Sequence, residues 1–281
     1  MVDITVIILT KNEEKNIKKC INSVKSFAKR IVVVDSYSED NTKKICLENN
    51  IDFYENTFIN HSKQFNWALE NTSISTEWVM KVDADEEISK ELQSEIQERL
   101  DRLDSNISGI EIKMKLIFMG RWIKHGGVYP IYFVRIFRFR NAVMEEREMD
   151  EHIKIEQGNI IRFKYPFIHD DKKTLSDFIN KHNWYSNKEI SIYEESLNKF
   201  NDEIESKLFG TQAERKRWIK KYIFKNVPLF LRAKVYYIYR YYFRFGFLDG
   251  KEGKIFHFMQ GYWYRFLIDA KIYEYISKDE K

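Results

Sequence analysis

The sequence predicts an α/β protein with a mostly parallel central sheet flanked by helices. Over its first 82 residues, four short apolar runs alternate with segments whose apolar residues recur at helical spacing. The runs are rich in β-branched residues and do not alternate with polar ones, which is typical of strands buried on both faces. With 281 residues, 43% hydrophobic and 32% charged, the chain suits one large globular domain, with or without an appendage.

The first four strands and the helices between them follow in regular order. The apolar runs that predict the strands cover residues 4–9, 31–34, 51–54 and 78–82. Asn12 can cap a first helix that extends to about residue 27. Turn residues 38–42 introduce a second helix that ends near residue 49, and a third covers residues 62–71. Strands separated by helices pair in parallel, so these elements form one sheet.

A different pattern begins after residue 103. Weakly alternating segments predict further short strands over residues 109–119, 131–139, 150–155 and 160–167. From Thr174 onward the pattern is helical. A change near Ser206 from acidic to basic, aromatic sequence predicts a main domain of residues 1–205 and a C-terminal helical segment of residues 206–281.

The cysteines and the N-terminus indicate the compartment. Cys20 and Cys46 fall on predicted helices and form neither a disulfide framework nor a zinc-site spacing, which favours a reducing environment. No basic region precedes the first apolar run, so we expect no signal peptide. No stretch approaches the roughly 18 apolar residues of a membrane-spanning helix. These features predict a cytoplasmic protein.

Asp83 and Asp85 directly follow the fourth predicted strand. Ligands of open α/β sheets bind at the carboxyl ends of the strands. Two close carboxylates at that edge suit a divalent cation that completes its shell with phosphate oxygens. The alternative is a solvated acidic turn, because Glu86 and Glu87 continue the negative charge.

The ends of the first two strands carry polar side chains and no glycine. The first strand ends in Thr10-Lys11-Asn12-Glu13, so the glycine-rich phosphate loop of dinucleotide-binding proteins is excluded. A nucleotide at this edge would be held by side chains. Asp35 and Ser36 end the second strand and can accept hydrogen bonds from a base or ribose, although Asp35 can equally be a turn or cap residue.

Residues 120–130 form a predicted loop that combines glycine, aromatic and basic residues. Sugar rings have apolar C–H faces and hydroxyl edges, so Trp122, His125 and Tyr129 could form a sugar-binding site. The alternative is a structured loop whose aromatic rings close the core.

The C-terminal segment is basic and aromatic. Residues 201–281 hold 17 Lys and Arg against 10 Asp and Glu, a charge of +7, while the remaining 30 against 33 give −3. Between residues 215 and 248 there are ten basic residues, no acidic one and twelve aromatic ones. This composition predicts contact with an anionic membrane surface. Nucleic acid is not expected, because the rest of the chain has no excess base; the other alternative is a helical hairpin packed on the sheet.

Nine short motifs follow one another along the chain in the order in which a known protein family has them. The chain resembles the family 2 inverting glycosyltransferases of the GT-A fold, in the branch of bacterial lipopolysaccharide-core and capsule sugar transferases. The motifs are ILTKNE (8–13), IVVVDS (31–36), SEDNT (38–42), QFNWAL (64–69), VDADE (82–86), GGVYP (126–130), RIFR (135–138), MDEH (149–152) and FLDG (247–250). Each motif is unspecific by itself, but the ordered set covers nearly the whole chain.

The resemblance implies a donor half of residues 1–115 and an acceptor half of residues 116–205. It implies that Asp83 and Asp85 flank the donor phosphates and an Mg²⁺ or Mn²⁺ ion, with His169 near the phosphate or metal. Related enzymes often have Arg or Lys after the glutamine of a Gln-x-Asn motif, where this chain has Phe65, so Lys63 would supply that charge. The remaining residues implied for the nucleotide sugar are Thr10, Asn12, Glu13, Asp35, Ser36, Gln64 and Asn66. Those assigned to the acceptor are Trp122, His125, Gly127, Tyr129 and Arg138.

The attacking acceptor hydroxyl needs a base. The family usually has a carboxylate at the position of Glu151, so Glu151 is the expected base, with Asp150 second. The alternative is that the acidic run 145–151 is a solvated face.

The resemblance implies inverting, non-processive transfer of a hexose from a nucleotide sugar, UDP-glucose or UDP-galactose, to a lipopolysaccharide-core, capsule or other lipid-linked glycan. Transfer would take place at the inner face of the cytoplasmic membrane. Processive relatives carry Q-x-x-R-W, whereas Gln212 and Arg217-Trp218 are spaced differently. Two other functions stay open: a phosphatase of the haloacid dehalogenase type, and a non-catalytic membrane-associated scaffold that binds sugar or nucleotide.

Overall fold

The computed structural model describes residues 1–145, 152–198, 215, 218, 222 and 226–279. The chain divides into two compact units. Unit 1 comprises Met1–Ile117 and Tyr132–Lys172, and unit 2 comprises Phe118–Ile131 and Lys173–Lys281. The boundary predicted near Ser206 lies outside the described residues, and the domain limits stay a prediction.

The first half of unit 1 is the predicted parallel sheet. Its strands are β1 (Val2–Thr10), β2 (Ala28–Asp35), β3 (Asp52–Glu55) and β4 (Trp78–Asp83), paired in parallel in the order β3-β2-β1-β4. The helices between them are α1 (Ile17–Val24), α2 (Thr42–Glu48) and α3 (His61–Asn71). The predicted alternation of strands and helices is therefore confirmed.

The central strand β1 is buried on both faces, which explains its unbroken apolar sequence. Successive side chains of a strand point to opposite faces. Ile4, Val6 and Ile8 join one core cluster, which also contains the buried residues of α1. Ile7 and Leu9 join a second cluster, which contains Phe65 and Ala68 of α3.

Helix α1 begins at Ile17 and not near Asn12, as the sequence predicted. Asn12 has a φ of 54°, in the left-handed region, and its side-chain oxygen accepts the Glu39 N–H at 2.9 Å. Its own N–H donates to the Ser38 hydroxyl at 2.7 Å. These bonds hold residues 11–16 in a turn against the 36–42 loop, so the helix is delayed by one turn.

The sheet of unit 1 continues from β4 through β8 (Tyr132–Arg138), β6 (Ile107–Phe118), β12 (Phe167–His169) and β5 (Glu86–Ile88). Strand β11 (Asn159–Arg162) pairs with β6. Strand β8 is antiparallel to β4 and β6, whereas β12 is parallel to β6 and antiparallel to β5. Strand β5 and helix α4 were not predicted, and the predicted strand over 160–167 is two strands. The other elements are α4 (Lys90–Arg99), β7 (Arg121–Trp122, in unit 2), β9 (Ala142–Met144) and β10 (Ile153–Ile155).

Unit 2 is mainly helical, as predicted from Thr174 onward. In its core, Tyr264, Ile268 and Ile272 pack against Tyr185 and Tyr193. Its helices are α5 (Leu175–Asn198), α6 (Leu231–Ile238), α7 (Gly250–Phe258) and α8 (Tyr264–Asp279), with π-helical turns at Tyr239–Phe243 and Met259–Trp263. Within the described ranges, no helix combines the length and apolarity needed to cross a bilayer.

Replacing Phe65 with alanine should remove about 3–5 kcal/mol from the free energy of unfolding. Phe65 is fully buried, and its ring lies edge-on to that of Phe137 with centroids 6.2 Å apart. Denaturant unfolding monitored by circular dichroism measures the loss. Phe58→Ala, which removes a ring that is 36% exposed, is the matched control and should cost far less. Equal losses would contradict this account of the core.

Candidate active site

Three strand ends meet at one edge of the sheet in unit 1. In the register of the sheet, Thr10 at the end of β1 pairs with Asp35 at the end of β2. On the other side of β1, Leu9 pairs with Asp83 at the end of β4. The fold therefore brings the predicted nucleoside residues and the first aspartate of the D-x-D motif to neighbouring positions.

Asp35 is fully buried and holds the turn that follows β2. Its Oδ1 accepts the hydroxyls of Thr10 at 2.7 Å and Ser38 at 2.6 Å, and its Oδ2 accepts the Ser38 N–H at 2.6 Å. A carboxylate offers about four acceptor positions, so one remains on Oδ2. The turn role that the sequence allowed for Asp35 is present in the structure.

The turn of residues 11–16 and the loop of residues 36–42 are joined by further hydrogen bonds. The N–H of Glu13 donates to the Thr42 hydroxyl at 2.8 Å, and its carboxylate accepts the Asn16 side-chain amide at 2.8 Å. The Lys11 ammonium donates to the Tyr37 carbonyl oxygen at 2.5 Å. Two loops braced by side chains thus form the rim of this edge, without the glycines of a dinucleotide-binding loop.

Gln64 lies under this rim and Lys63 lies on the surface. The buried Gln64 amide donates to the Ser36 hydroxyl and to the Asn56 carbonyl oxygen, each at 3.2 Å. Its side-chain oxygen accepts the Asn56 side-chain amide at 2.9 Å. Gln64 therefore supports the turn that carries Ser36, while the exposed Lys63 side chain reaches solvent.

Asn66 and Phe65 explain the unusual Gln-x-Asn motif of this chain. The Asn66 side chain exchanges two hydrogen bonds with the backbone of Met144 in β9, at 3.1 and 3.2 Å. Phe65, where relatives often carry a basic residue, points into the core against Phe137. In this structure the motif anchors α3 to β9.

A cluster of four charged side chains surrounds the end of β4. Arg135 on β8 lies between two carboxylates, 2.5 Å from Glu86 Oε1 and 3.4 Å from Asp83 Oδ2. Lys81 donates to the other oxygen of Asp83, and the Asp83 N–H donates to Glu86 Oε2 at 2.9 Å. The Glu86 side chain is only 3% exposed, whereas that of Asp83 is 35% exposed.

The pKa values of the two carboxylates of this cluster are shifted in opposite directions. Burial opposes ionisation of Asp83, but the positive charges of Lys81 and Arg135 outweigh it and hold the pKa of Asp83 well below its usual range. Burial, helped by the charge of Asp83 and opposed by Arg135, raises the pKa of Glu86 to about 7. Asp83 is therefore ionised at neutral pH, with Lys81 and Arg135 as its partners.

Asp85 faces His169 on β12. Asp85 Oδ1 lies 3.4 Å from His169 Nδ1, and the side chains are 11% and 26% exposed. Glu86 is buried in β5, and Glu87 pairs with Lys19 at 2.6 Å. The residues that follow Asp83 are thus parts of a folded edge and not a solvated acidic turn.

The donor atoms at this edge fit an Mg²⁺ or Mn²⁺ ion that shares its shell with a substrate. Asp83 and Asp85 offer carboxylate oxygens and His169 an imidazole nitrogen. Across the described part of the chain, no group of three or more His, Cys, Asp or Glu side chains could hold a metal ion, so the protein would supply at most two such ligands at once. The remaining ligands would be phosphate oxygens and water, an arrangement that Mg²⁺ commonly adopts.

Arg138 lies at the opposite end of the sheet from Asp83. It pairs with Trp78, the first residue of β4, and its guanidinium donates to the Glu77 carboxylate. The acceptor-binding role predicted for Arg138 is not supported by this position. The first arginine of the same motif, Arg135, is the one at the site, because β8 is antiparallel to β4 and its earlier residues lie nearer the end of β4.

The candidate bases Glu151 and Asp150 lie outside the described residues. On either side, the described strands β9 and β10 pair antiparallel, and the Glu145 N–H donates to the His152 carbonyl oxygen at 3.0 Å. Their assignment stays a prediction.

The predicted acceptor residues in the 118–131 loop belong to unit 2. Trp122 and Tyr129 lie edge to face, with ring centroids 5.1 Å apart, and the Lys124 ammonium is 5.3 Å from the Trp122 ring. His125 Nδ1 is 2.6 Å from a carboxylate oxygen of Asp249. Gly127 has a φ of 73°. The sequence did not predict this contact of Asp249, although Asp249 lies in the FLDG motif.

Comparison with known proteins identifies the class of enzyme. The family model "Glycosyl transferase family 2" matches residues 5–165, more than half of the chain. The chain therefore belongs to glycosyl transferase family 2 and is a glycosyltransferase, with the α/β architecture of the GT-A fold.

Individual relatives differ in their sequence identity to this chain and in the share of each chain that is aligned. An uncharacterized glycosyltransferase of Rickettsia typhi is 28% identical over 98% of this chain and 88% of its own length. Glycosyltransferase SunS of Bacillus subtilis is 40% identical over 33% of this chain and 22% of its own length. Among solved structures, Staphylococcus aureus TarS (residues 1–349) is 16% identical, with a TM-score of 0.45 over 100% of this chain and 92% of that one.

Replacing Glu86 with glutamine should change how stability depends on pH. The folded pKa of Glu86, about 7, lies above its ordinary 4.5, so the fold favours the protonated form. Stability from this carboxyl is complete below pH 4.5 and is lost as pH rises through 7. The unfolding free energy of the wild type, relative to Glu86→Gln, should therefore fall across this window in denaturant titrations. Glu87→Gln controls for loss of one charge, and a constant difference would contradict the raised pKa.

Proposed function

We propose that this glycosyltransferase moves a hexose from UDP-glucose or UDP-galactose to a lipopolysaccharide-core, capsule or other lipid-linked glycan, one sugar per encounter and with inversion. The observation that carries the proposal is that Asp83 ends β4 beside the ends of β1 and β2, and that Asp85, two residues further on, faces His169. The two loops above those ends offer polar groups for a nucleoside, and the acidic edge offers ligands for its diphosphate.

The nucleoside lies, in this proposal, against the rim formed by residues 11–16 and 36–42. Asn12, Glu13 and Ser36 lie on the rim, and the buried Asp35 braces it from below through Thr10 and Ser38. Because the rim residues are already joined to one another, little ordering is needed when the donor binds. Lys63 supplies an exposed positive charge for the diphosphate.

Two of the three side chains Asp83, Asp85 and His169 would hold the metal ion, which when bound stabilises the negative charge of the departing diphosphate. Asp83 is suited to this role because Lys81 and Arg135 keep it ionised at neutral pH. When Asp83 binds a cation, Arg135 still has Glu86 at 2.5 Å as its partner. Arg135 therefore keeps a buried hydrogen-bond partner when the donor complex forms.

Glu151, or Asp150 in its place, takes the proton of the acceptor hydroxyl as that oxygen attacks the anomeric carbon. One base and one leaving group give a single displacement, which inverts the configuration. Trp122 and Tyr129 offer ring faces and edges for the acceptor sugar.

Of the two alternative functions, the phosphatase is excluded and the non-catalytic scaffold can be tested. Membership of family 2 removes the phosphatase, whose aspartate pair would lie on the first strand, whereas here it follows β4. A non-catalytic scaffold predicts binding of nucleotide sugar without turnover, so an activity measurement separates it from the proposal.

Incubation with a panel of nucleotide sugars and Mg²⁺ or Mn²⁺ should release nucleoside diphosphate from UDP-glucose or UDP-galactose. Asp85→Asn should lower this rate by ~100-fold or more, the size of effect seen when one stabiliser of developing charge is removed. Asp104→Asn, at an exposed position, is the control and should keep the wild-type rate. Binding without release in the wild type would favour the scaffold, and full activity of Asp85→Asn would refute the metal site.

We also propose that the C-terminal segment docks on the anionic inner face of the cytoplasmic membrane. Exposed rings follow one another in unit 2, with Phe243 71% and Phe245 56% exposed, and Tyr242, Phe247 and Leu248 are exposed too. Exposed Arg244 lies among them. Rings that enter the headgroup region beside cationic side chains are typical of interfacial binding.

Co-sedimentation with vesicles of phosphatidylcholine and phosphatidylglycerol should show binding that rises with the anionic lipid. The double variant Phe243→Ser, Phe245→Ser should weaken partitioning by about tenfold or more, since burying one such ring contributes roughly 1.5–3 kcal/mol. Leu47→Ser, which removes an exposed apolar side chain from unit 1, is the control. Equal binding by the double variant, or binding indifferent to lipid charge, would contradict this surface.

A further inference from the structure

Asp249, at the end of the 3₁₀ turn Gly246–Asp249, is bound to a loop 124 residues earlier in the chain. Its side chain is 3% exposed. One oxygen accepts the backbone N–H groups of Lys124 at 3.1 Å and His125 at 2.8 Å, and the other lies 2.6 Å from His125 Nδ1. Asp249 has no role in the proposed binding of the donor or in the removal of the acceptor proton.

The contact with Asp249 determines which nitrogen of His125 carries a hydrogen. A carboxylate can only accept, so Nδ1 of His125 must donate. In the neutral imidazole, Nε2 then presents a lone pair. The His125 side chain is 33% exposed, so a ligand can reach it.

The neighbouring residue Gly126 fixes the same loop to the π-helical turn at Tyr239–Phe243. The Gly126 N–H donates to the Arg244 carbonyl oxygen at 2.8 Å, and its own carbonyl oxygen accepts Arg240 Nε at 3.0 Å. Gly126 has a φ of 67°, and an added Cβ would lie 2.1 Å from the His257 ring. The loop around His125 therefore has little freedom to move.

His257 does not compete with His125 for Asp249 as a cation. It is fully buried, and its Nε2 is 3.7 Å from an Asp249 oxygen. Burial and the charge of Arg240 outweigh Asp249 and lower the pKa of His257 to about 4, so it is neutral at pH 7. Asp249 is thus stabilised by the three donors of the loop.

We propose that Asp249 is a positioning residue for the acceptor site. It holds His125 so that Nε2 accepts a hydrogen bond from a hydroxyl of the acceptor sugar, on the loop that also carries Trp122 and Tyr129. This inference rests on the proposed function, because the sugar acceptor is the substrate of that site. A lone pair held in a fixed direction favours an acceptor sugar with a hydroxyl placed to donate a hydrogen bond to it. Asp249 therefore contributes to specificity for the acceptor and not to binding of the nucleotide sugar.

The tautomer of His125 tests the geometry without any activity. In a protein labelled with ¹⁵N-histidine, long-range ¹H–¹⁵N spectra should show a protonated Nδ1 for His125, assigned among the six histidines by its loss in His125→Asn. Asp249→Asn should change this pattern. An unchanged tautomer in Asp249→Asn would overturn the proposal.

Kinetics test the functional part. Asp249→Asn should raise the KM for the acceptor about tenfold, the loss expected for one hydrogen bond, with the donor KM and the rate of donor hydrolysis kept. His125→Asn keeps a donor near Asp249 but deletes Nε2, so it should raise the acceptor KM equally while keeping the thermal midpoint. This second variant serves if Asp249→Asn fails to fold. An unchanged acceptor KM in His125→Asn would overturn the proposal.

Asp269→Asn is the matched control. Asp269 is an equally buried carboxylate of unit 2 that binds the Phe230 N–H and Arg232, each at 2.7 Å. Its replacement should lower stability but leave the His125 tautomer and the acceptor KM unchanged; a change in either would mean that loss of stability alone explains the Asp249 result. If the wild type hydrolyses no nucleotide sugar, the proposed function fails, while the tautomer result still decides whether Asp249 positions His125.

Discussion

The contacts of Arg135 with Asp83 and Glu86 at the end of β4 are the constraint on which the candidate site depends. Placing Asp83 and Glu86 at the edge of a buried sheet carries a large desolvation penalty unless cations accompany them. Arg135 reaches both, and Lys81 adds a second positive charge to Asp83. The site therefore contains both positive and negative side chains before any substrate binds.

This balance explains why the acidic edge is folded and not a loose turn. Glu86 belongs to a short strand whose partner β12 brings His169 beside Asp85. The Asp83 N–H is held by Glu86, and the Asp85 carbonyl oxygen accepts the Asp170 N–H at 3.1 Å, so the backbone between the two aspartates is fixed at both ends. A rigid arrangement of these side chains lowers the ordering cost of binding a ligand at this edge.

The fold was largely predictable because local patterns determine it, whereas much of the site was not. The unbroken apolar runs of β1, β2 and β4 show at once that these strands are buried, and the end of β4 locates Asp83. Arg135 and Asp249 gave no comparable signal, since their partners lie 52 and 124 residues away. The start of α1 was misplaced for the same reason: distant Ser38 and Glu39 hold Asn12 out of the helix.

The attachment of the 118–131 loop to Asp249 has an evolutionary consequence. The chain leaves unit 1 after Ile117, returns at Tyr132 and leaves again after Lys172, so unit 2 is assembled from two separate stretches. Deleting or exchanging the C-terminal stretch would strip the loop of the carboxylate that binds its N–H groups. Recombination at a single crossover point would thus break this unit, so viable changes to the loop are more readily reached by paired substitutions in both stretches.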